Sequence, residues 1–392
     1  MSANSVSQVE PHFSPNGLKM LSTAISFLED DCMPALALYH QQIPQGGPER
    51  WQVIPPVLET LKEKAKKVGL WNLWLSGGEF QHLAGGSGAG LSNLEYAVIA
   101  EISGHCQRLM PEAMNCSAPD TGNMEVFARF GTQAQKDKYL FPLVNGKIRS
   151  AFSMTEYGIP SSDASNLRNT VARREGNKLI LNGHKWWISG AGDPRCSVHI
   201  VVAQTDPTNP SKHKRHSILF VDPKTPGVEI VRPMKVFGYD DAPEGHCEVV
   251  YKDVVLDLEE SVAGGSGNLG RGFEMLQARL GPGRIHHCMR AIGVASRALD
   301  LMLLRVTNPN RKTFGKVLRE HGTILVDIAK SRAEIDQARL FVLSAAKRID
   351  QVKAKGALKE IGLAKVSPSV AVDTDQPVKA VSDSQPSVIS GA

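Results

Sequence analysis

Apolar residues recur three or four positions apart from about residue 18 to 143, and this spacing predicts helices over residues 18–28, 57–68 and 92–107. Clusters of Pro and Gly at 45–48 and 85–90 interrupt them, and two short helices follow at 123–130 and 132–140, on either side of Gly131. Between residues 150 and 258 the period shortens to that of strands. Residues 178–181, the dipeptide Asn182-Gly183 and residues 184–188 read as a hairpin, because that dipeptide tolerates positive φ at both turn positions. Further β-rich runs lie at 198–203, 218–221, 228–231 and 248–256, separated by turn formers. No helix alternates with them, which favours an antiparallel barrel or sandwich over a parallel βαβ unit.

After Gly272 the helical period returns. Phe273, Leu276, Leu280, Ile292, Ala295, Leu299 and Met302 fit one long helix broken near residues 281–283. Ile324, Ile328, Ile335, Ala338, Val342, Ala345 and Ile349 form the stripe of a second bundle helix. A third begins near Ala357 and loses its pattern by about Ser367. The expected fold class is therefore α+β and multidomain: an N-terminal all-α domain (1–149), a middle antiparallel β-barrel (150–260), an incomplete C-terminal α-helical bundle (261–366) and a disordered tail (367–392). A bundle of two and a half helices has an unfinished core, so the 324–349 stripe is expected to lack partners and to favour aggregation or instability.

Composition narrows the class. At 392 residues with 42% hydrophobic and 22% charged residues the chain is an ordinary globular sequence, and the balance of 45 Lys and Arg against 40 Asp and Glu gives +5, no case for nucleic acid. Its six cysteines are scattered without a CxxC pair, and the HxxH of His213 and His216 has no further ligand at metal-binding spacing, so neither a disulfide framework nor a metal site is expected. No apolar run reaches the roughly 20 residues of a membrane span. No targeting signal is apparent either, which leaves cytoplasm, mitochondrial matrix and peroxisome open.

Candidate chemistry is concentrated between residues 151 and 192. Gly265-Ser-Gly267-Asn-Leu-Gly270 matches GxGxxG, but an acidic loop precedes it and only helices follow, so it reads as a connector and not as a dinucleotide fingerprint. Met154-Thr155-Glu156 and Ser161-Ser162-Asp163 gather hydroxyls and carboxylates on a loop, where turn and cap chemistry is the plain alternative. Trp186-Trp187-Ile188-Ser189 sets two large aromatics and a hydroxyl at the end of a strand. Together these ends outline a site for a planar heteroaromatic ligand.

The ordered set MTE, SSD, GHKWWISG, VFGYDD, GRGFE, LGPGRIHH and RKTFGK resembles the acyl-CoA dehydrogenases, in the branch that carries NCSAPDTGNME at residues 115–125. The resemblance spans roughly residues 70–366. It implies FAD on the barrel, with Met154, Thr155 and Ser162 near the flavin ring system, Trp187 against the isoalloxazine and Ser189 bonding its pyrimidine side. It also implies that Arg311, Thr313 and Phe314 reach across a dimer interface to the neighbour's FAD; a solvated basic cap between helices is the alternative for Arg311 and Lys312. Arg284 in GPGRIHH matches an arginine beside the CoA or acyl chain.

What the resemblance implies about activity is α,β-desaturation of a fatty acyl-CoA in β-oxidation, as a homodimer or homotetramer passing electrons to electron-transfer flavoprotein or another acceptor. Two departures qualify this. Tyr157 stands where the family has proline after MTE, with Ile159-Pro160 altering the turn and the amides that face the flavin. After Lys365-Val366 no carboxylate segment corresponds to the family's catalytic base, and Asp373, Asp375 and Asp383 sit in the aperiodic tail, so the base stays unknown. The alternatives are a catalytically impaired flavin-binding or partner-binding member and an acyl-CoA oxidase.

Overall fold

The computed structural model describes residues 12–75 and 88–354. Among the described residues, five helices build the N-terminal part: α1 (Pro15–Ser26), α2 (Met33–Gln41), α3 (Pro56–Lys67), α4 (Asn93–Gly104) and α5 (Asp120–Phe130), with short turns at Met110–Ala113 and Phe141–Val144. The expected helix at 132–140 is a single turn, Gln133–Gln135, running into the wider coil Lys136–Leu140. Every residue of α4 is buried, as its all-round apolar sequence requires. Its polar residues are accordingly paired. Ser92 and Glu95 form a capping box, and the spare Glu95 oxygen accepts from both the backbone N–H and the hydroxyl of Ser14 at 2.7 Å.

Seven strands follow: β1 (Arg149–Ser153), β2 (Val171–Glu175), β3 (Lys178–Ser189), β4 (Cys196–Gln204), β5 (His216–Val221), β6 (Val228–Pro233) and β7 (His246–Asp257). They form one sheet in the order β1-β4-β2-β3-β7-β6, with β5 on the other edge of β4. The sheet is mixed, and this corrects the all-antiparallel expectation: β1 and the end of β2 run parallel to β4, while the remaining pairs are antiparallel. Parallel pairing arises without βαβ crossovers because β1 and β4 are joined through β2 and β3. β4 is buried except at Ser197, which is half-buried, and alternates between two cores. Val198, Ile200 and Val202 face the helices, while Val201 and Ala203 face the interior of the sheet with Leu179, Leu181 and Val249.

The Asn182-Gly183 hairpin does not form. β3 is one strand of 12 residues, and the hairpin is β2–β3, turning at Gly176 (φ +60). Gly183 serves a different need: a Cβ there would lie 2.5 Å from the Thr170 side chain, so the glycine permits close approach and not a turn. The ladder to β7 bulges at this point, where Asn182 and Asp253 exchange hydrogen bonds of 3.0 and 2.9 Å.

Two long helices complete the described chain, α6 (Gly272–Thr307, 36 residues) and α7 (Gly322–Ala354, 33 residues), joined through a small hairpin of β8 (Lys312–Thr313) and β9 (Lys316–Val317). The expected break at residues 281–283 is absent; α6 is continuous through Gly281-Pro282-Gly283. The expected orphan stripe on α7 is also corrected. Ile335, Ala345 and Ile349 are buried against the rest of the core, and the exposed face carries Leu325, Val326, Leu340 and Phe341 instead. Helices α4 and α6 supply the cover. Arg339 of α7 grips Glu101 through Nε and Nη2 (2.9 and 2.7 Å), and Asp350 accepts from the Asn93 and Leu94 N–H groups at 2.9 Å, filling part of the α4 N-terminus. The expected helix near Ala357 and the tail lie outside the described residues.

Candidate active site

A cleft of about 950 Å³ runs between the β1/β3/β7 end of the sheet and one face of α6. The sheet wall is made by Met154, Thr155, Trp187, Ser189 and His246, and the helix wall by Arg279, Leu280, His287, Arg290, Ala291 and Val294. Trp187 owes its place to a bulge. Between Lys185 and Ile188 the ladder to β7 skips, so that Trp186 and Trp187 together oppose Glu248. Trp187 takes φ +56, an uncommon conformation for a bulky residue, and its indole is 39% exposed in the cleft. Its neighbour Trp186 turns away to meet Tyr157 edge-on at 4.8 Å, and Tyr157 stacks on His184 at 4.7 Å. Tyr157 thus has an aromatic seat of its own on the outer side.

The Met154-Thr155-Glu156 loop is fastened to β3. Thr155 O accepts from Trp186 N at 3.1 Å and Glu156 bridges Lys185. Beneath it lies an ion pair with both side chains fully buried. Lys185 Nζ donates to Met154 O (2.7 Å), Val202 O (2.9 Å) and Glu156 Oε1 (3.3 Å). The Glu156 carboxylate accepts from the backbone N–H groups of Arg168, Asn169 and Thr170 at 2.8, 2.9 and 2.8 Å. Burial pulls the Lys185 ammonium down to about 8, with Glu156 opposing the fall. Burial alone would raise the Glu156 carboxyl, but Lys185 and the three amides hold it below the usual carboxylate range. The pair positions the carbonyl of Met154, a residue of the cleft wall.

Arg279 lies over the Phe152 ring at 3.5 Å and donates to Asn123 Oδ1 at 3.0 Å. Burial lowers its guanidinium, which nonetheless stays charged because its intrinsic basicity is so high. Arg290 donates to Cys116 O at 2.8 Å, and its Nε is buried with no hydrogen-bond partner among the described residues. The other end of the cleft carries Arg149, Asp193 and Glu244. Arg149 and Arg195 each reach Glu112 at 2.7 Å, and Lys62 at 3.1 Å. Burial and then Glu112 hold the Glu244 carboxyl well above its ordinary value; those three cations hold Glu112 well below despite its burial.

Of the residues singled out in the sequence, Met154, Thr155, Trp187 and Ser189 come together on the cleft wall. Ser162 is exposed on the loop and does not line it, and Arg284 is exposed on α6, one turn from Leu280 and from His287, but is not among the lining residues. Arg311, Thr313 and Phe314 lie on or beside the β8–β9 hairpin, all exposed, with Phe314 (φ +53) at its tip and 93% accessible. Arg279, His287, Arg290 and His246 went unread. A helix broken at 281–283 puts Arg279 out of register with 287 and 290, whereas the continuous helix sets them on one face. His246 had no motif; only its pairing with Ser189 across β3 and β7 reveals it.

Behind the sheet wall, His199 is fully buried, its Nδ1 3.0 Å from Tyr251 OH, which donates to Ser153 Oγ at 3.0 Å. Burial lowers this imidazole from 6.5 to about 4. The unfolded chain therefore binds a proton that the folded chain refuses, and stability is expected to fall as pH drops from 6.5 to about 4, by about 3 kcal/mol in all. Urea unfolding across that window measures it, and His199→Phe should flatten this part of the slope; an equal slope in the variant assigns the loss to other groups.

Models of the acyl-CoA dehydrogenase N-terminal, middle and C-terminal domains match residues 47–147, 151–254 and 270–373. FadE2 of Mycobacterium tuberculosis, an acyl-CoA dehydrogenase homologue, is 47% identical over 348 residues, covering 88% of this chain and 81% of its own. This chain belongs to the acyl-CoA dehydrogenase family. Mouse acyl-CoA dehydrogenase family member 10 is also 47% identical, over 367 residues that cover 91% of this chain but only 33% of the mouse protein. Several other curated relatives are likewise covered over less than half of their length. An acyl-CoA dehydrogenase homologue of solved structure from Mycobacterium abscessus superposes with a TM-score of 0.79 at 40% identity, covering 90% of this chain and 84% of that one. The family architecture of N-terminal helical, middle β-sheet and C-terminal helical domains is the one described above.

Proposed function

We propose that this chain binds FAD and α,β-desaturates a fatty acyl-CoA thioester. The observation that carries the reading is the cleft itself. An aromatic plane (Trp187), a thioether (Met154) and two hydroxyls (Thr155, Ser189) form one wall, and Arg279 and Arg290 stand on the other. Its volume of about 950 Å³ lies at the upper end of ligand pockets, room for a ring system with a second ligand beside it. The donor set fits a flavin: a strained tryptophan presents a flat apolar face, and small hydroxyls flank it for ring nitrogens and carbonyls.

FAD, when bound, supplies the two-electron acceptor for the hydride that leaves the β carbon. The chain's own residues orient and enclose. Trp187 fixes the ring plane, and the Lys185–Glu156 clamp holds the Met154–Thr155 backbone beside it. Arg279 and Arg290 polarise a thioester carbonyl or hold a polar part of the substrate, and Arg284 stands as a substrate contact nearer the solvent. The base that takes the α proton is not assigned among the described residues. Ser162 joins the flavin loop, and Arg311, Thr313 and Phe314 serve a neighbour's FAD in a homo-oligomer that passes electrons to an electron-transfer flavoprotein or similar acceptor.

The assembly is supported by exposed apolar residues on the two long helices, where Leu304, Leu325, Val326 and Phe341 are each at least half exposed. Purified protein is expected to show flavin absorbance that bleaches anaerobically on adding an acyl-CoA. Absence of bleaching from short to long chains sinks the desaturase reading, and peroxide release on turnover in air would favour an oxidase. Sizing of the same preparation should give a dimer or tetramer; a monomer contradicts the cross-subunit role of Arg311.

A further inference from the structure

Ser189 Oγ lies 2.8 Å from His246 Nδ1, and both side chains line the cleft. The contact is set by the backbone, since Ser189 and His246 are the last and first residues of β3 and β7 and stand opposite in the ladder. The imidazole also meets the Trp187 indole edge-on at 5.9 Å. A neutral imidazole has one N–H and one lone pair, and a serine hydroxyl has one hydrogen to give. If Nδ1 accepts, the Ser189 hydrogen is spent on His246 and only oxygen lone pairs face the cleft. If Nδ1 donates, the Ser189 hydrogen is released toward the cleft. Flavin ring nitrogens change in a matching way, accepting hydrogen bonds when oxidised and gaining N–H donors on two-electron reduction.

We infer that His246 is a positioning residue that sets the hydrogen-bond direction of Ser189 toward the flavin and so weights the reduced against the oxidised cofactor. This rests on the proposed FAD site. The comparison is between oxidised and reduced FAD affinity, obtained from the dissociation constant of oxidised FAD and the midpoint potential, for the parent, Ser189→Ala, His246→Phe and His246→Asn. Phe keeps a ring against Trp187 without polar atoms; Asn restores a group near the Nδ1 position that can donate or accept.

Ser189→Ala and His246→Phe are each expected to change the affinity ratio tenfold or more, a potential shift of about 29.6 mV for a two-electron couple. A lower potential identifies Nδ1 as the acceptor and a higher one as the donor. His246→Asn should return to within about threefold of the parent. Equal weakening of both redox states, which is what a purely structural role gives, overturns the inference, as does failure of Asn to restore the ratio. Should the Phe variant not fold, an unchanged ratio in Ser189→Ala is decisive against it. A parent protein that takes up no FAD overturns the site reading itself, whereas FAD uptake with unshifted ratios overturns this inference alone.

Discussion

Lys185→Met is expected to destabilise the protein by about 3–5 kcal/mol, the usual consequence of removing one member of a buried ion pair. Met conserves most of the volume, so the loss is electrostatic. The Glu156 carboxylate stays buried without its cation, and the carbonyls of Met154 and Val202 lose their donor. Three backbone N–H groups still serve Glu156, which argues for partial and not total collapse of the loop. The double variant Glu156→Gln with Lys185→Met should recover part of the loss, since no uncompensated charge remains. Denaturant unfolding of the single variants and the pair gives the coupling. A single-variant loss under about 1 kcal/mol would show that water or a rearranged loop replaces the pair. FAD affinity should fall in the same variant, because the clamp holds the cleft loop.

Gly293→Ala is expected to cost about 3 kcal/mol or more, at the high end for overpacking, because the obstacle is backbone. Helices α4 and α6 cross with glycine against carbonyl in both directions. A Cβ on Gly293 would sit 2.0 Å from Glu101 O, and one on Gly104 would sit 2.3 Å from Arg290 O. Neither helix can yield separately. Glu101 is gripped by Arg339 and Arg290 lines the cleft, so a shift would move the active-site wall. Gly283→Ala on the same helix is the control. Nothing lies within 4 Å of a Cβ there, and better helix propensity should stabilise by about 0.5–1 kcal/mol. Thermal or urea unfolding of the two variants should therefore move in opposite directions. Equal behaviour would mean that the helix crossing is looser than the backbone shows.

Element types were legible along most of the chain because periodicity is a local signal. The stripe of α7, the strands from residue 196 onward and the short polar and aromatic motifs that put Met154, Thr155, Trp187 and Ser189 on the cleft wall all lie within a spacing of a few residues. The errors fell where a residue's reason was non-local. Gly183 resembled a turn glycine, but it is small because Thr170 approaches from another segment. Gly281-Pro282-Gly283 resembled a break, yet α6 continues through it, and packing against α4 along this helix outweighs the poor local propensity.

The same division holds for function. By itself the sequence determined the family, the helix-sheet-helix order and one wall of the cleft, since those reside in ordered short motifs and in the repeat of apolar residues. Tertiary structure alone decided the opposite wall and its chemistry. Arg279, His287 and Arg290 share a face only on an unbroken helix, Glu244 meets Glu112 across 132 positions of chain (244 − 112), and His246 finds Ser189 only through strand register. Side-chain hydrogen bonds and ion pairs act over about 3 Å, and no local pattern in a chain records which distant segments folding brings within that reach.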